Sequence, residues 1–393
     1  MLFTIPFVFV TAFSLVSASP IEVETEKVAV IPLTRKTGTS SHKSSVQAGK
    51  HRLAAINGLK SFDASLVGSS ATIANVDVHY TALVNIGGEN WELVLDTGSA
   101  NIWCGAAEPY VKTATGTATG RLIHITYGLT SDASFSGTEY KEKVSFGGFT
   151  VAHQLIAAAS STQGLGGVPG VFGLGPVGIT AHSVASGTVP TFMNNLKAQG
   201  SIKTEVFALY FRPLIGSNVI EANGEMTIGG VDTTKYKGPL TYFPKVTGGA
   251  IANYWGVHVN KITYGSTTLS LSSNAIVDAG TTLTWIPSSA FNAFLSATHG
   301  KVDEQSGLPS FTTKPTANLG FTIGSTTYTL TPAQYLVPQA QFANFGMATG
   351  KYYAMLGSAG NSDINIILGQ KFLEYYYSVY DETNSRIGFA ANA

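Results

Sequence analysis

Short runs of apolar and β-branched residues, separated by turn residues, make up most of the chain from about residue 76 onward. Runs rich in Val, Ile, Thr, Tyr and Phe and bounded by Gly, Ser, Asn and Asp are typical of β-strands. Helical periodicity is clear in two stretches, residues 190–199 and 288–299, each followed by glycine. The clearest predicted strands are residues 80–86, 93–95, 141–146, 206–211, 321–330 and 376–380. The pattern predicts a mainly β protein with a few short helices.

The first 18 residues have the pattern of a signal peptide. Residues 2–16 are almost unbroken apolar sequence, and Val16-Ser17-Ala18 supplies the small residues of a cleavage site. No second long apolar segment follows, so neither a membrane span nor a lipid-anchor tail is predicted. The sequence therefore predicts secretion, with vacuolar retention left open as an alternative.

The segment from residue 19 to about 63 differs in charge from the rest of the chain. It holds seven basic and four acidic residues, a net charge of +3, against 16 basic and 19 acidic residues elsewhere. One interpretation is a disordered tail. The other is a propeptide that covers residues 19–70, with its C-terminal limit between 63 and 76, and lies over the mature protein.

Composition removes several other functions from consideration. Charged residues make up 12% of the chain and the formal net charge is zero, so there is no electrostatic case for binding nucleic acid or an anionic membrane. The eight histidines are scattered and predict no metal site. Residues 173–178 fit a dinucleotide-binding glycine pattern, but Pro176 interrupts the helix that such a site requires. The single cysteine, Cys104, is predicted to be a small buried apolar residue, since a catalytic thiol lacks a nearby histidine in sequence.

One internal repeat dominates the sequence. Three apolar residues precede Asp96, with Gly98 two residues later, and the same arrangement surrounds Asp278 and Gly280. In both copies a hydroxyl residue stands three positions after the aspartate and a tryptophan seven positions after it. A second element also recurs, as Val171-Phe172-Gly173 and Ile367-Leu368-Gly369. The repeats predict two duplicated β-lobes, residues 71–245 and 246–393.

The chemistry of the repeat indicates acid–base hydrolysis. An aspartate at the end of an apolar strand is poorly solvated, which raises its pKa. The glycine two residues later lets a backbone N–H approach the carboxylate. Two such loops facing each other bring two carboxylates together, and these share a proton because both cannot ionise. One carboxylate then acts as base on water while the other acts as acid toward a carbonyl.

Together these motifs resemble the pepsin-like aspartic proteases, and most closely the polyporopepsin-like secreted fungal enzymes. The resemblance covers nearly the whole chain and implies a bilobal acid-protease fold with a central cleft. It also implies a monomeric endopeptidase, made as an acid-activated zymogen and needing no metal or cofactor. Its partners would be protein or peptide substrates, pepstatin-type inhibitors and its own propeptide. The motifs are the first active-site loop (96–99), the second (278–282), a flap hairpin (127–140), Tyr254-Trp255-Gly256 and C-terminal strands (376–390).

The resemblance assigns a role to each matching residue. Asp96 and Asp278 would be catalytic. Cleavage beside large hydrophobic residues is implied by an apolar S1 pocket. The supporting residues would be Thr97, Gly98, Ser99, Ala279, Gly280 and Thr281. The substrate-binding residues would be Tyr127, Gly128, Thr282, Val94, Phe135 and Val171, and those that shape the site would be Trp103, Gly173 and Gly369. Lys60 is a candidate for the propeptide cation that pairs with the two aspartates.

The second active-site loop departs from the family pattern at Ala279, where the family usually has Thr or Ser. That hydroxyl braces the opposite loop, and its loss costs on the order of 1 kcal/mol. We therefore expect a weakened or less acid-stable site, and a change in activity or stability in Ala279→Thr. The flap is also longer than usual, at residues 129–133, and Pro169 stands where Asp often does. The alternative function is a catalytically silent pepsin-fold binding protein.

Overall fold

The computed structural model describes residues 28–37, 46, 49–50, 52–53, 78–126, 134–163, 165, 168–183, 187–360 and 364–393. Within these ranges the chain is mainly β, which confirms the fold class predicted from the sequence. Strands of the N-terminal half are β1 (Ala29–Thr37), β2 (Val78–Ile86), β3 (Glu89–Asp96), β4 (Ile102–Cys104), β5 (Thr117–Thr126), β6 (Ser134–Phe146), β7 (Phe149–Gln163), β8 (Gly170–Gly173), β9 (Val206–Tyr210), β10 (Ile220–Ile228) and β11 (Tyr236–Pro244).

The C-terminal half continues with shorter strands and most of the short helices. Its strands are β12 (Gly256–Tyr264), β13 (Thr267–Val277), β14 (Thr284–Ile286), β15 (Lys301–Val302), β16 (Pro309–Phe311), β17 (Leu319–Ile323), β18 (Thr326–Leu330), β19 (Tyr352–Tyr353), β20 (Leu356–Ser358), β21 (Ile364–Leu368), β22 (Tyr376–Asp381) and β23 (Arg386–Asn392). The α-helices whose bounds lie wholly within the described residues are α1 (Phe192–Ala198), α2 (Ser288–Thr298), α3 (Pro332–Tyr335) and α4 (Gln370–Leu373). Four 3-10 turns add Val177–His182, Ala250–Asn253, Gln339–Gln341 and Ala343–Phe345.

The described strands lie in three sheets. The largest has the order β11-β23-β22-β9-β10-β1-β2-β3-β8-β4-β7-β6-β5. A second has the order β18-β17-β12-β13-β21-β14-β20, and a third is β15-β16-β19. The C-terminal strands β22 and β23 therefore return to the large sheet, where β22 pairs with β9. This return joins the end of the chain to strands β9 and β11 of the N-terminal half.

Local sequence explains where several elements begin and end. Helix α1 starts at a capping box, in which the Asn194 backbone N–H donates to the Thr191 hydroxyl at 3.1 Å and the Asn194 side chain accepts from Thr191 N–H at 3.0 Å. Helix α2 ends at His299, which adopts the left-handed conformation (φ 51°) one residue before the predicted Gly300. The single strand predicted over residues 321–330 is wrong: Gly324 (φ 57°) turns the chain and divides it into β17 and β18.

The N-terminal segment is integrated into the structure at two places. Strand β1 lies between β2 and β10, and its Arg35 forms a buried ion pair with Glu374, whose other partner is Lys371 at 2.9 Å. Further along, residues 46, 49, 50, 52 and 53 are helical. Val46 and Leu53 from this helix are buried in the apolar cluster that contains Trp285. Helical spacing puts these two residues on one face.

A carboxylate pair on the large sheet makes the stability of the fold sensitive to pH. Burial, together with the nearby charge of Glu382, raises the pKa of Glu205 to about 7. Asn194 donates to Glu205 at 2.6 Å, while Lys245 neutralises Glu382 at 2.8 Å. In the unfolded chain Glu205 ionises near its ordinary pKa of 4.5, so the folded state holds the extra proton between about pH 4.5 and 7. Stability therefore falls as pH rises through this window.

We expect the substitution Glu205→Gln to remove this loss of folding stability at neutral pH. Glutamine keeps an oxygen for Asn194 but has no charge to repel Glu382. The variant should melt about 2 °C above the wild type at pH 7, after allowance for the partly exposed carboxylate, and close to it at pH 4. Thermal unfolding at the two pH values measures this, with Glu304→Gln as a control at an exposed position. An equal increase in melting temperature at pH 4 and pH 7 would contradict the prediction.

Candidate active site

The two sequence repeats form the same local structure. Asp96 is the last residue of β3, and Asp278 directly follows β13. Each strand has a parallel neighbour from the second repeated element: Asp96 pairs with Gly173 on β8, and Val277 pairs with Leu368 on β21. The apolar residues before each aspartate are buried because these strands run through the interior. Both aspartates consequently project from strand ends at the same level of the fold.

Each carboxylate is oriented by a matching pair of hydrogen bonds. The backbone N–H of Gly98 donates to Asp96 at 2.9 Å, and that of Gly280 donates to Asp278 at 2.9 Å. The Ser99 hydroxyl donates to the other oxygen of Asp96 at 2.5 Å. The corresponding bond from Thr281 to Asp278 is 2.6 Å. Duplicated loops thus hold the two acids in equivalent positions.

Glycine is required where the two loops approach each other. A Cβ atom on Gly98 would lie 2.7 Å from Oδ1 of Asp278, and one on Gly280 would overlap the carboxylate of Asp96. Each loop therefore contacts the aspartate of the other. Any larger residue at these two positions would separate the carboxylates.

The brace between the loops is asymmetric, as the alanine at position 279 predicts. The Thr97 hydroxyl donates to the Val277 carbonyl at 2.9 Å and accepts from the Ala279 backbone N–H at 2.8 Å. Ala279 is fully buried and returns no hydroxyl to the first loop. One threonine hydroxyl therefore carries both of these cross-loop bonds.

Arg52, from the N-terminal segment, lies directly on the two aspartates. Its Nε donates to Asp278 at 3.0 Å, and its Nη2 donates to both Asp96 and Asp278. Only 12% of the arginine side chain is exposed. A planar guanidinium bridges two carboxylates well because it presents several donors in a fixed geometry. Lys60, the cation suggested by the sequence, lies outside the described residues.

The surroundings of Asp96 and Asp278 shift the pKa values of the two carboxyl groups in opposite directions. Burial raises the pKa of Asp96, and the charge of Asp278 adds to this effect while Arg52 opposes it. Burial acts on Asp278 in the same sense, but the charge and hydrogen bond of Arg52 outweigh it and lower the pKa of Asp278. The same carboxylates raise the pKa of Arg52 despite its burial, so the guanidinium stays charged.

The residues predicted to line a substrate pocket lie together beside the pair. Val94, Val171 and Phe135 belong to one apolar cluster, with Val94 paired to Val171 across β3 and β8. Trp103 is in the same cluster and stacks on Phe135 with ring centroids 4.6 Å apart. Tyr127 and Gly128 lie outside the described residues, as does the flap tip.

The remaining predicted residues lie in the two loops and beneath them. Thr282 is buried, and its carbonyl accepts from the Lys371 backbone N–H at 3.1 Å. Gly173 and Gly369 sit where the repeated elements cross under the loops. A Cβ on Gly173 would lie 2.5 Å from the Ala100 carbonyl carbon, and one on Gly369 would overlap the Leu283 carbonyl. These contacts are consistent with the structural role expected for both glycines.

Sequence reasoning missed several residues around the pair. Arg52 is one, although Val46 and Leu53, seven residues apart on one helical face, were a usable signal for the segment that carries it. Gln370 is another, since its amide donates to the Ala279 carbonyl at 2.7 Å. Tyr254 and Tyr380 are buried close enough for the charge of Asp278 to raise the pKa of each, although burial is the larger cause. No sequence pattern indicated the positions of these last three side chains.

The described residues contain no cluster of three or more His, Cys, Asp or Glu side chains suited to a metal ion. No helix among them is long and apolar enough to span a membrane. Cys104 is fully buried, as predicted, and burial raises the pKa of its thiol to about 12.

Comparison with known proteins agrees with this geometry. The family model described as eukaryotic aspartyl protease matches residues 79–392. Polyporopepsin from Irpex lacteus is 40% identical over 82% of this chain and 97% of its own, and rhizopuspepsin from Rhizopus chinensis is 30% identical over 91% of each. The crystal structure of the aspartic proteinase from Irpex lacteus covers 93% of this chain and 98% of its own, with a TM-score of 0.78 and 33% identity. The chain therefore belongs to the eukaryotic aspartyl protease family, with the bilobal pepsin-like fold, and is an aspartic-type endopeptidase.

Proposed function

We propose that Asp96 and Asp278 are the catalytic pair of this endopeptidase and hold the water that attacks the peptide bond. The observation that carries the proposal is the matched hydrogen bonding of the two carboxylates by Gly98 with Ser99 and by Gly280 with Thr281. One carboxylate accepts a proton from the water while the other, protonated, donates to the substrate carbonyl. Hydrolysis then proceeds without a covalent intermediate.

The substrate is a peptide with large hydrophobic side chains beside the cleaved bond. Support comes from the apolar cluster of Val94 on β3, Phe135 on β6 and Val171 on β8, in which Val94 is two residues before Asp96. An extended peptide crossing the cleft would place one side chain against this cluster and its backbone near Thr282. Burial of such a side chain is worth about 2 kcal/mol, enough to discriminate against small residues.

The chain is made as a secreted zymogen whose own N-terminal segment covers the catalytic pair. Residues 1–18, the proposed signal peptide, lie outside the described residues. In the segment that follows, Arg52 contacts both carboxylates, and Val46 and Leu53 are buried in the Trp285 cluster. A substrate cannot reach the aspartates while this guanidinium is in place. Cleavage between residues 63 and 76 would yield the mature enzyme.

Acid treatment of the purified precursor tests this function. At pH 3–4 we expect the loss of about 60 to 75 N-terminal residues by mass spectrometry, together with cleavage of a protein substrate that a pepstatin-type inhibitor blocks. Peptide mapping of the products should show large hydrophobic residues beside the cleaved bonds. An intact precursor without cleavage at any acidic pH would favour the alternative, a silent pepsin-fold binding protein, with Ala279 as its cause.

A further inference from the structure

A buried histidine lies where strand β1 of the N-terminal segment is attached to the rest of the large sheet. The pairing of β1 with β2 covers residues 34–37 of β1, and within it His79 is directly opposite Lys36. Only 8% of His79 is exposed. Its ring nitrogen Nδ1 is buried and has no hydrogen-bond partner in the described part of the chain. The imidazole is therefore enclosed at the point where β1 must separate from β2.

Two charged side chains on the neighbouring strands act on this imidazole. Directly opposite residues of antiparallel strands have Cβ atoms about 5 Å apart, so Lys36 on β1 lies beside the His79 ring. Glu92, on β3, forms an ion pair with Lys36 and also accepts from the Thr81 hydroxyl at 2.6 Å. Among the described residues, Lys36 and Glu92 are the charged groups that His79 senses. A proton on His79 would thus add a second positive charge where Glu92 is already paired with Lys36.

These surroundings make the attachment of β1 sensitive to acid. Burial disfavours the charged form of His79, and Lys36 acts in the same direction while Glu92 opposes both, so the pKa of His79 falls from 6.5 to about 4. Once β1 has left β2, the imidazole loses the cation opposite it, and its pKa returns toward the ordinary value. Between about pH 6.5 and 4 the detached form holds a proton that the attached form lacks. The attachment of β1 therefore weakens as the pH falls through this window.

We propose that His79 is an acid sensor that releases strand β1 of the precursor, separately from the contact of Arg52 with the two aspartates. The proposal rests on the zymogen function proposed above. Protonation of the imidazole places two cations opposite each other across β1 and β2, which four residue pairs join. The buried ion pair of Arg35 with Glu374 holds the same strand, and the protonated imidazole acts against it. Separation at Lys36 frees the chain that leads from β1 to Arg52.

Amide hydrogen exchange of the intact precursor tests the proposal, because exchange of the peptide that contains β1 reports its detachment without any need for catalysis. Exchange is measured at pH 5 and pH 7, corrected for its intrinsic pH dependence, at times short enough that mass spectrometry shows no processing. His79→Gln and His79→Leu cannot take up the proton. Each should reduce the ratio of opening at pH 5 to opening at pH 7 by about 10- to 30-fold. Effects of either substitution that do not depend on pH cancel in this ratio.

His153→Gln is the matched control, since this histidine is exposed on β7 of the same sheet, and it should keep the wild-type ratio. Lys36→Met removes the opposing charge but leaves the burial, so it should reduce the ratio by a smaller factor. A wild-type ratio in both His79 variants would overturn the proposal. Absence of inhibitor-sensitive cleavage by the acid-treated wild type would instead remove the zymogen function, while exchange of β1 would still show whether His79 responds to acid.

Discussion

Asparagine in place of Asp96 or Asp278 is expected to reduce peptide-bond hydrolysis by about 10⁴-fold. Each carboxylate takes part in proton transfer, and an amide can neither accept the proton of the water nor donate one to the carbonyl. The amide also fits the space, because its oxygen can still accept from Ser99 or Thr281. The loss should therefore appear in kcat, while the folded structure is retained.

The measurement must separate loss of catalysis from loss of self-processing. Each substitution is therefore also made in the Arg52→Ala precursor, where the guanidinium no longer covers the aspartates. Cleavage of a quenched peptide at pH 4 is then followed alongside thermal unfolding. Asp232→Asn is the control, because this half-buried aspartate accepts from the Thr234 backbone N–H at 2.9 Å and from its hydroxyl at 2.7 Å, in a turn outside the two active-site loops. Hydrolysis by an asparagine variant at more than about a hundredth of the control rate would exclude its aspartate from catalysis.

Arg52→Ala is expected to make the unprocessed precursor hydrolyse peptides at a pH where the wild-type precursor is inactive. Arg52 is buried against two carboxylates, and removing one partner of such an ion group costs about 3 kcal/mol. Since the two aspartates can recover part of this loss by sharing a proton, we expect the open precursor to be enriched about 100-fold. The apolar contacts of Val46 and Leu53 remain and keep part of the population closed.

The direction of the pH effect follows from the charge of Arg52, which acts to lower the pKa of both carboxylates. The closed precursor therefore binds fewer protons at the pair than the open one, so the Arg52 contact is favourable above the pKa values of the open form. It is lost as pH falls through the lower values of the closed form. Acid therefore opens the wild-type precursor, and Arg52→Ala should shift the midpoint of opening to higher pH.

Hydrolysis of a quenched peptide by intact precursor at pH 6, checked by mass spectrometry for absence of processing, measures this effect. Lys50→Ala is the matched control, because it removes an exposed positive charge from the same helical segment without touching the aspartates. It should behave as the wild type. If neither the Arg52→Ala precursor nor the Lys50→Ala precursor hydrolyses the peptide at pH 6, the N-terminal segment does not block the site through Arg52.

Strand β1 adds a second attachment for the same segment. It pairs with β10 and β2, and Arg35 is buried against Glu374. Burial by itself would raise the pKa of Glu374, but the charges of Arg35 and Lys371 outweigh it and lower that pKa. The ion pair consequently opposes the departure of β1 at any pH at which Glu374 is ionised.

The amino-acid sequence by itself determined the β class, the duplicated loops and the identity of the candidate pair. These are local properties: strand alternation, a glycine two residues after each aspartate, and a hydroxyl residue three after it. Each depends on residues only a few positions apart, which is why they could be predicted without the fold. The division of residues 321–330 at Gly324 was missed because the alternating pattern continues through the turn.

The tertiary structure alone decided which residues complete the site. Arg52 is separated from Asp96 by 44 residues and from Asp278 by 226. Gln370 reaches Ala279 only because α4 follows the strand that passes beneath the second loop. Such contacts result from the return of β22 to the large sheet and the packing of Val46 and Leu53, which join distant segments through long-range burial. A sequence pattern carries local periodicity, whereas these partners are chosen by the packing of the whole chain.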